Sequence, residues 1–286
     1  MSRPASPKPI FPTERKQFSR RLFAWYKRNG RHDLPWRKTA DPYKIFVSEM
    51  ILQQTQVLRV IPKYRAFIRR FPNVCALAAA EPAAVLRLWS GLGYNRRALY
   101  LQRAARAIVT QHAGTFPQSV VALRQLPGVG EYTAAAICIF AWNQNVAAVD
   151  TNIRRILIHE LRLPETVTAA RLQAVAQQLV PNGKSRAWHS ALMDYGSAVA
   201  TARATGVRPR SRQSTFAGSD RYYRGQLIKL LLQHRQLRMQ RAAVLLTLPL
   251  ARCRRIVQQL CADGLVVAAG QRIRLCSRID KTDNSG

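Results

Sequence analysis

The chain has 286 residues, 48% of them hydrophobic, enough apolar material for about two domains with sizeable cores. Lysine and arginine number 46 against 14 acidic residues, a formal net charge of +32, which points to a polyanionic partner: nucleic acid first, an anionic membrane surface second. Five widely spaced cysteines, without a CxxC or a His/Cys cluster, argue against a disulfide framework or a zinc site. No apolar run reaches membrane-spanning length and no apolar signal core opens the chain, so a soluble intracellular protein is expected, cytoplasmic and nucleoid-associated if bacterial.

Met1 to Thr13 carries Pro4, Pro7, Pro9 and Pro12 among basic residues and reads as a disordered arm. From about Glu14 to Asn29, Phe18, Leu22, Trp25 and Tyr26 recur at helical spacing, and Gly30 ends the helix. Asp41-Pro42 starts another, with proline at the first helical position. That helix, Tyr43 to Thr55, is mostly apolar, yet it contains Glu49. A buried carboxylate is costly unless paired or used. Desolvation raises its pKa and keeps it protonated, as a general acid requires. The alternative is a glutamate turned to solvent or paired with an arginine.

Short helices follow at Ile61–Arg70, Ala83–Leu88, Arg96–His112, Val120–Leu126 and Tyr132–Ala141, punctuated by prolines and glycines and free of strand-like alternation. An all-α body is the natural reading. The loop Trp89 to Tyr94 ends on an aromatic that is either core or a wedge for a base stack. At Leu126 to Gly130, LPGVG makes a glycine-bounded turn between two apolar helices. Gly128, Val129 and Gly130 would leave backbone N–H groups to meet a phosphate oxygen, although the same pattern also serves as an ordinary helix–helix turn. Asp150 follows an apolar run and precedes Thr151, Asn152, Arg154 and Arg155; alone, an Asp there is usually an N-cap. Helices resume at about Thr151–Leu161, Thr168–Leu179 and Ala187–Ala200.

The basic, Pro/Gly/Ser-rich stretch Arg203 to Ser219 reads as a linker that could also track phosphates. Beyond it, helices at Tyr222–His234, Gln240–Leu246 and Leu250–Asp263 lead into two short strands, LVVAA and QRIRL, joined at Gly270. Three helices and a β-hairpin resemble a winged helix-turn-helix. Arg252, Arg254 and Arg255 fit a helix facing DNA, and a solvated basic face accounts for them nearly as well. After Ser277 the chain is expected to fray.

The motifs LPWR (Leu34–Arg37), DPYKIFVSEMILQQTQV (Asp41–Val57), IPKY (Ile61–Tyr64), WSGLGY (Trp89–Tyr94), LPGVGEYTA (Leu126–Ala134) and VDTNIRR (Val149–Arg155) are colinear. Residues from about 20 to 200 resemble the adenine DNA glycosylases of the MutY type, within the endonuclease III superfamily. The resemblance implies a mainly α, two-lobed helix-hairpin-helix glycosylase fold, followed here by a small winged-helix-like domain. The implied division is a disordered basic arm at 1–13, a helical lobe from 14–40 and 141–202, a six-helix domain with the hairpin at 41–140, a linker at 203–219, the winged-helix-like part at 220–276 and a disordered tail at 277–286.

By the same resemblance, Glu49 is the catalytic acid that protonates the departing adenine, and Asp150 stabilises or transiently bonds the cationic sugar before water attacks, on a base flipped from the duplex. Asn152 matches a helper of Asp150 or of the water. Gln54 and Tyr94 match residues that fill and wedge the duplex. Gly128, Val129, Gly130 and Arg154 belong to the matching DNA-gripping segments, and Trp36, Arg37 and Leu52 to the neighbourhood of the base pocket. Tyr132 stands where bifunctional relatives place a Schiff-base lysine, so a monofunctional enzyme that leaves an abasic site is implied. Two departures matter. The family's [4Fe–4S] cysteines normally follow ALMD-x-G, yet Ser197 to Ser219 contains none, so no cluster and no other metal or cofactor is expected. The chain after Ser219 is also too short for the usual Nudix-like reader of 8-oxoguanine. The expected partner is double-stranded DNA with a mismatched or damaged base, bound by a monomer. A thymine or uracil mismatch glycosylase and a non-catalytic winged-helix DNA-binding protein are the alternatives; the Gln53-Gln54-Thr55 segment favours adenine.

Overall fold

The structure is a computed structural model and describes residues 12–208 and 215–276. The expected arm through residue 11, the middle of the linker (209–214) and the tail from 277 lie outside the described residues. In chain order the helices are α1 (Pro12–Asn29), α2 (Pro42–Leu52), α3 (Val57–Arg70), α4 (Val74–Ala79), α5 (Pro82–Trp89), α6 (Arg96–Gln111), α7 (Val120–Arg124), α8 (Glu131–Trp142), α9 (Thr151–Glu160), α10 (Ala169–Leu179), α11 (Ser185–Ala198) and α12 (Ala202–Thr205). They are followed by α13 (Asp220–His234), β1 (Gln236–Arg238), α14 (Met239–Leu245), α15 (Leu250–Ala262), β2 (Val266–Ala269) and β3 (Arg272–Leu275), and a single 3-10 turn covers Pro35–Arg37.

Two compact units form within the described residues. The first comprises the segments to Phe46, Gln118–Arg124 and Gly130 onward to α12. Its core joins the apolar faces of α1 (Phe18, Leu22), α9 (Ile153, Ile156, Leu157), α10 (Leu172, Val175, Leu179) and α11 (Trp188, Leu192). Gly196 lets α11 approach α9: a Cβ there would lie 2.9 Å from Ile156 Cδ1 and 3.5 Å from Asn152 Cβ.

The second unit holds Val47–Pro117, Gln125–Val129 and the described residues beyond the linker. Phe67, Phe71 and Trp89 pack edge to face in its core, with centroids 5.1 and 6.4 Å from Phe67. Helix α3 begins four residues before the expected Ile61, and Pro62 is accommodated inside it. The proline removes the amide that would bond the Leu58 carbonyl, and Leu58 is so exposed that water can take that place. Helix α4 was not expected; six residues are too few for a periodic signal, but Asn73 caps it by accepting from the Ala76 amide at 2.8 Å.

The C-terminal segment carries a three-stranded antiparallel sheet in the order β1-β3-β2. Leu237 pairs with Ile273, and Val266 with Leu275, so the apolar residues share one face toward the helices. Strand β1 also escapes the sequence, because three residues give no alternation to read. Its addition to the expected hairpin completes the winged-helix arrangement of three helices and a three-stranded wing.

Candidate active site

Asp150 follows a non-helical run, Asn145–Val149, in which Ala147 and Ala148 are buried. Buried backbone must find partners, and side chains from two helices supply them. Gln177 accepts from the Ala147 amide (2.8 Å) and donates to the Asn145 carbonyl (2.8 Å), and Gln173 donates to the Ala147 carbonyl (2.6 Å). His189 on α11 accepts from the Ala148 amide through Nε2 (3.1 Å), while its Nδ1 lies 2.8 Å from the Ser185 carbonyl. Those two partners fix the tautomer: the ring is neutral, with its proton on Nδ1. Burial pushes the His189 pKa down to about 4, against the hydrogen bond to Ser185. The chain therefore enters α9 along a fixed track.

At its end Asp150 is the N-cap of α9, with Oδ1 accepting from the Ile153 amide at 2.7 Å. Capping occupies one oxygen only. The other, Oδ2, accepts from Asn152 Nδ2 at 3.3 Å; Asn152 Oδ1 in turn accepts from Arg155 Nη2 at 2.8 Å. Arg155 is anchored on the Ala200 carbonyl (2.7 Å) and the Gly196 carbonyl (3.0 Å). Burial raises the Asp150 pKa above the ordinary carboxylate range, and the hydrogen bonds from Ile153 and Asn152 and the charge of Arg155 only partly offset it. An ionised oxygen held in poor solvation is suited to stabilise a cation formed beside it.

Glu49 is 7% exposed on α2, between Ser48 and Met50, which are both buried, so it does not turn to solvent. Arg97 organises the end of that helix. Its Nη1 donates to the carbonyls of Met50 (2.7 Å) and Gln53 (2.7 Å), and its Nη2 to those of Leu92 and Gly93 (3.2 Å each). One guanidinium thus satisfies orphan carbonyls at the C-terminus of α2 and ties them to the Trp89–Tyr94 loop. Burial lowers the Arg97 pKa to about 10, so it stays charged at neutral pH. Leu52 is half-buried, and Gln54 follows in a left-handed turn at φ 56°.

Gly91 (φ 91°) and Gly93 (φ 72°) turn the loop through left-handed backbone, and Trp89 Nε1 donates to the Gly93 carbonyl at 3.0 Å. Tyr94 is 42% exposed, which excludes the core-aromatic reading. The guanidinium of Arg97 lies 5.6 Å from its ring centroid.

In the LPGVG turn, Gly128 has φ 74°, and a Cβ there would sit 2.4 Å from Tyr100 Cβ. The Val129 amide is bonded to the Leu126 carbonyl at 3.1 Å, so it is not among the uncovered donors expected of the turn. Gly130 is the N-cap of α8 and makes no side-chain cap bond. Tyr132, half-buried on that helix, places its hydroxyl 3.9 Å from Met193 Sδ.

Arg154 and Arg37 both make interior contacts. Arg154 is 8% exposed and donates to the Glu165 carbonyl at 2.9 Å, so it is an interior cation rather than a surface one. Arg37 grips the buried Asp194 of ALMDYG with both Nη atoms (2.6 and 3.0 Å) and reaches the carbonyls of Arg31 and Ser190. Arg31 holds the same carboxylate through its amide (2.8 Å) and Nε (2.6 Å). Burial alone would raise the Asp194 pKa, but these bonds hold it below the ordinary range. Trp36 and Arg37 line a cavity with Tyr26, His32, Trp142 and Ser190 that contains neither Asp150 nor Asn152. Arg97, Arg155, His189 and Asp194 carry much of this geometry; Arg155 and Asp194 sit within the motifs VDTNIRR and ALMD-x-G without a role being read for them, and Arg97 and His189 act on distant backbone groups, which leave no short motif.

The sequence model of the HhH-GPD superfamily of base excision DNA repair proteins matches residues 47–182. The adenine DNA glycosylase of Mycolicibacterium smegmatis is 38% identical over 86% of this chain and 91% of its own. That of Homo sapiens is 38% identical over 63% of this chain and 35% of its own. The chain belongs to the adenine DNA glycosylases of the HhH-GPD superfamily. Among solved structures, a thermostable thymine-DNA glycosylase superposes with a TM-score of 0.62 at 28% identity, covering 69% of this chain and 91% of that one. An endonuclease III–DNA complex, at 15% identity and a TM-score of 0.60, shares the fold over 71% of this chain and 91% of its own. The mainly helical fold expected of an adenine DNA glycosylase is thus the one observed. The stretch from Gly196 to Arg252 contains no cysteine, and no group of three or more His, Cys, Asp or Glu that could hold a metal ion occurs among the described residues.

Proposed function

We propose that this chain is a monofunctional DNA N-glycosylase of base excision repair, hydrolysing the N-glycosidic bond of a flipped-out adenine opposite 8-oxoguanine or guanine in double-stranded DNA. The carrying observation is Asp150, a carboxylate with one oxygen capping α9 and the other oriented by Asn152, at a pKa raised by burial. In this reading Glu49 donates a proton to a ring nitrogen of adenine. The C1′–N bond breaks, its electron pair leaving with the base. The cationic sugar is stabilised by the Asp150 carboxylate, water adds to C1′ and loses a proton, and adenine and an abasic site result. Tyr132 supplies a phenol where strand cleavage would need an amine, so the abasic strand is left intact. The protein acts as a monomer and without an iron–sulfur cluster.

The test is a panel of duplexes carrying A:8-oxoG, A:G, T:G and U:G. Release of adenine from the first two, with strand breaks appearing only after added base, supports the reading. Release of thymine or uracil alone supports the second reading, which the likeness to a thymine-DNA glycosylase structure at 28% identity favours. Tight binding with no base released would leave a DNA-binding protein only.

A further inference from the structure

Two contacts from the C-terminal winged-helix segment reach the loop that carries Tyr94, all within one compact unit. Arg221, in the first turn of α13, donates from Nη1 to Tyr94 Oη at 2.8 Å and lies 5.9 Å from the ring centroid. Two residues beyond Tyr94, Arg96 pairs with Asp263 at 3.5 Å, and Asp263, the C-cap of α15, also pairs with Arg224, one turn along α13 from Arg221. Gly264 follows, where an added Cβ would approach Arg103 Nη2 of α6 to 3.1 Å. The start of α13 is itself held: Arg252 of α15 bonds Asp220 (2.9 Å) and the Gly218 carbonyl (2.7 Å), and stacks on Tyr223.

We propose that this segment positions Tyr94, with Arg221 as the positioning residue that fixes the ring before it meets the duplex. A half-exposed tyrosine on a two-glycine loop has rotamer freedom that insertion into a base stack would have to remove. The hydrogen bond on the hydroxyl, added to the Arg97 guanidinium beside the ring, removes part of that freedom in advance. This gives the C-terminal segment a task in base extrusion other than recognition of the opposite base. The inference rests on the proposed function, in which Tyr94 enters the stack.

The full chain is tested as Arg221→Ala, Arg221→Lys, Tyr94→Phe and the Arg221→Ala/Tyr94→Phe double variant. Three quantities are read: single-turnover adenine release from an A:8-oxoG duplex, fluorescence of 2-aminopurine at the target position as a measure of extrusion, and affinity for undamaged duplex. Arg221→Ala should slow extrusion and release about tenfold, the size of one hydrogen bond to a charged donor. Tyr94→Phe should do the same, the double variant should be no slower than either single one, and Arg221→Lys should recover part of the rate. Additive effects, or a loss in Arg221→Ala matched by an equal loss of affinity for undamaged DNA, would overturn the inference and make Arg221 an ordinary phosphate contact. If the unmodified chain releases no adenine, the proposed function fails first and the inference falls with it.

Discussion

Asp150 combines two roles that a single substitution can separate. Asparagine caps a helix as well as aspartate does, so Asp150→Asn keeps the bond from the Ile153 amide. It also removes a carboxylate whose folded pKa lies above its unfolded value of about 3.9. Above its folded pKa, such a group weakens the native state, because the unfolded chain ionises more readily. Asp150→Asn should therefore melt at or above the temperature of the parent while base release falls at least about 10²-fold; Glu49→Gln should lose about 10² to 10⁴-fold if Glu49 is the acid. A melting point that drops with unchanged release would reduce Asp150 to a cap. Arg155 offers a finer probe, since its charge lowers the Asp150 pKa through space. In Arg155→Met the acid limb of the pH–rate profile should move to higher pH, because the carboxylate must ionise to act and now does so later. A limb that stays in place in that variant assigns the acid limb to another group.

Helices were the most legible level of this chain, and their ends show why. Thr168 before α10 and Gly30 after α1 are capping chemistry that can be read directly, and the bounds fall within one or two residues of expectation. What could not be read is the scaffold of the non-helical run before α9, which depends on Gln173, Gln177 and His189 meeting backbone groups 26 to 41 residues away. His189 makes that scaffold pH-sensitive. Its folded pKa of about 4 lies below the ordinary 6.5, so its stabilisation is complete above about pH 6.5 and is lost as pH falls toward 4. Urea unfolding should register about 3 kcal/mol over that window, and His189→Gln, which can still donate and accept, should flatten the profile. The LPGVG hairpin gives a second contrast between two glycines that look alike in sequence. Gly128→Ala meets Tyr100 and forces left-handed backbone on a Cβ, a cost of about 1–3 kcal/mol. At Gly130 nothing lies within 4 Å of an added Cβ and φ is −81°, so Gly130→Ala should melt like the parent.

For the molecule as a whole, charge was the first property read and is the last to be accounted for. The acidic residues among the described residues are largely engaged: Asp194 by Arg31 and Arg37, Asp263 by Arg96 and Arg224, Asp220 by Arg252 and Arg255, Glu160 by Arg21. Each such pair cancels locally, and the sequence as a whole still carries a formal excess of 32 positive charges. Composition therefore identified the class of partner, while telling apart the arginines that serve the fold, such as Arg37, Arg97 and Arg154, from those that serve DNA required coordinates. Binding to undamaged duplex tests the remainder directly. Each phosphate neutralised releases condensed counterions, so six or more contacts imply a loss of about 10³-fold in affinity between 50 and 200 mM salt. The loss should be the same for unrelated sequences, because backbone contacts carry no base information. A slope of log affinity against log salt shallower than about −2, the signature of two or three contacts, would mean that most of the charge faces something other than the duplex.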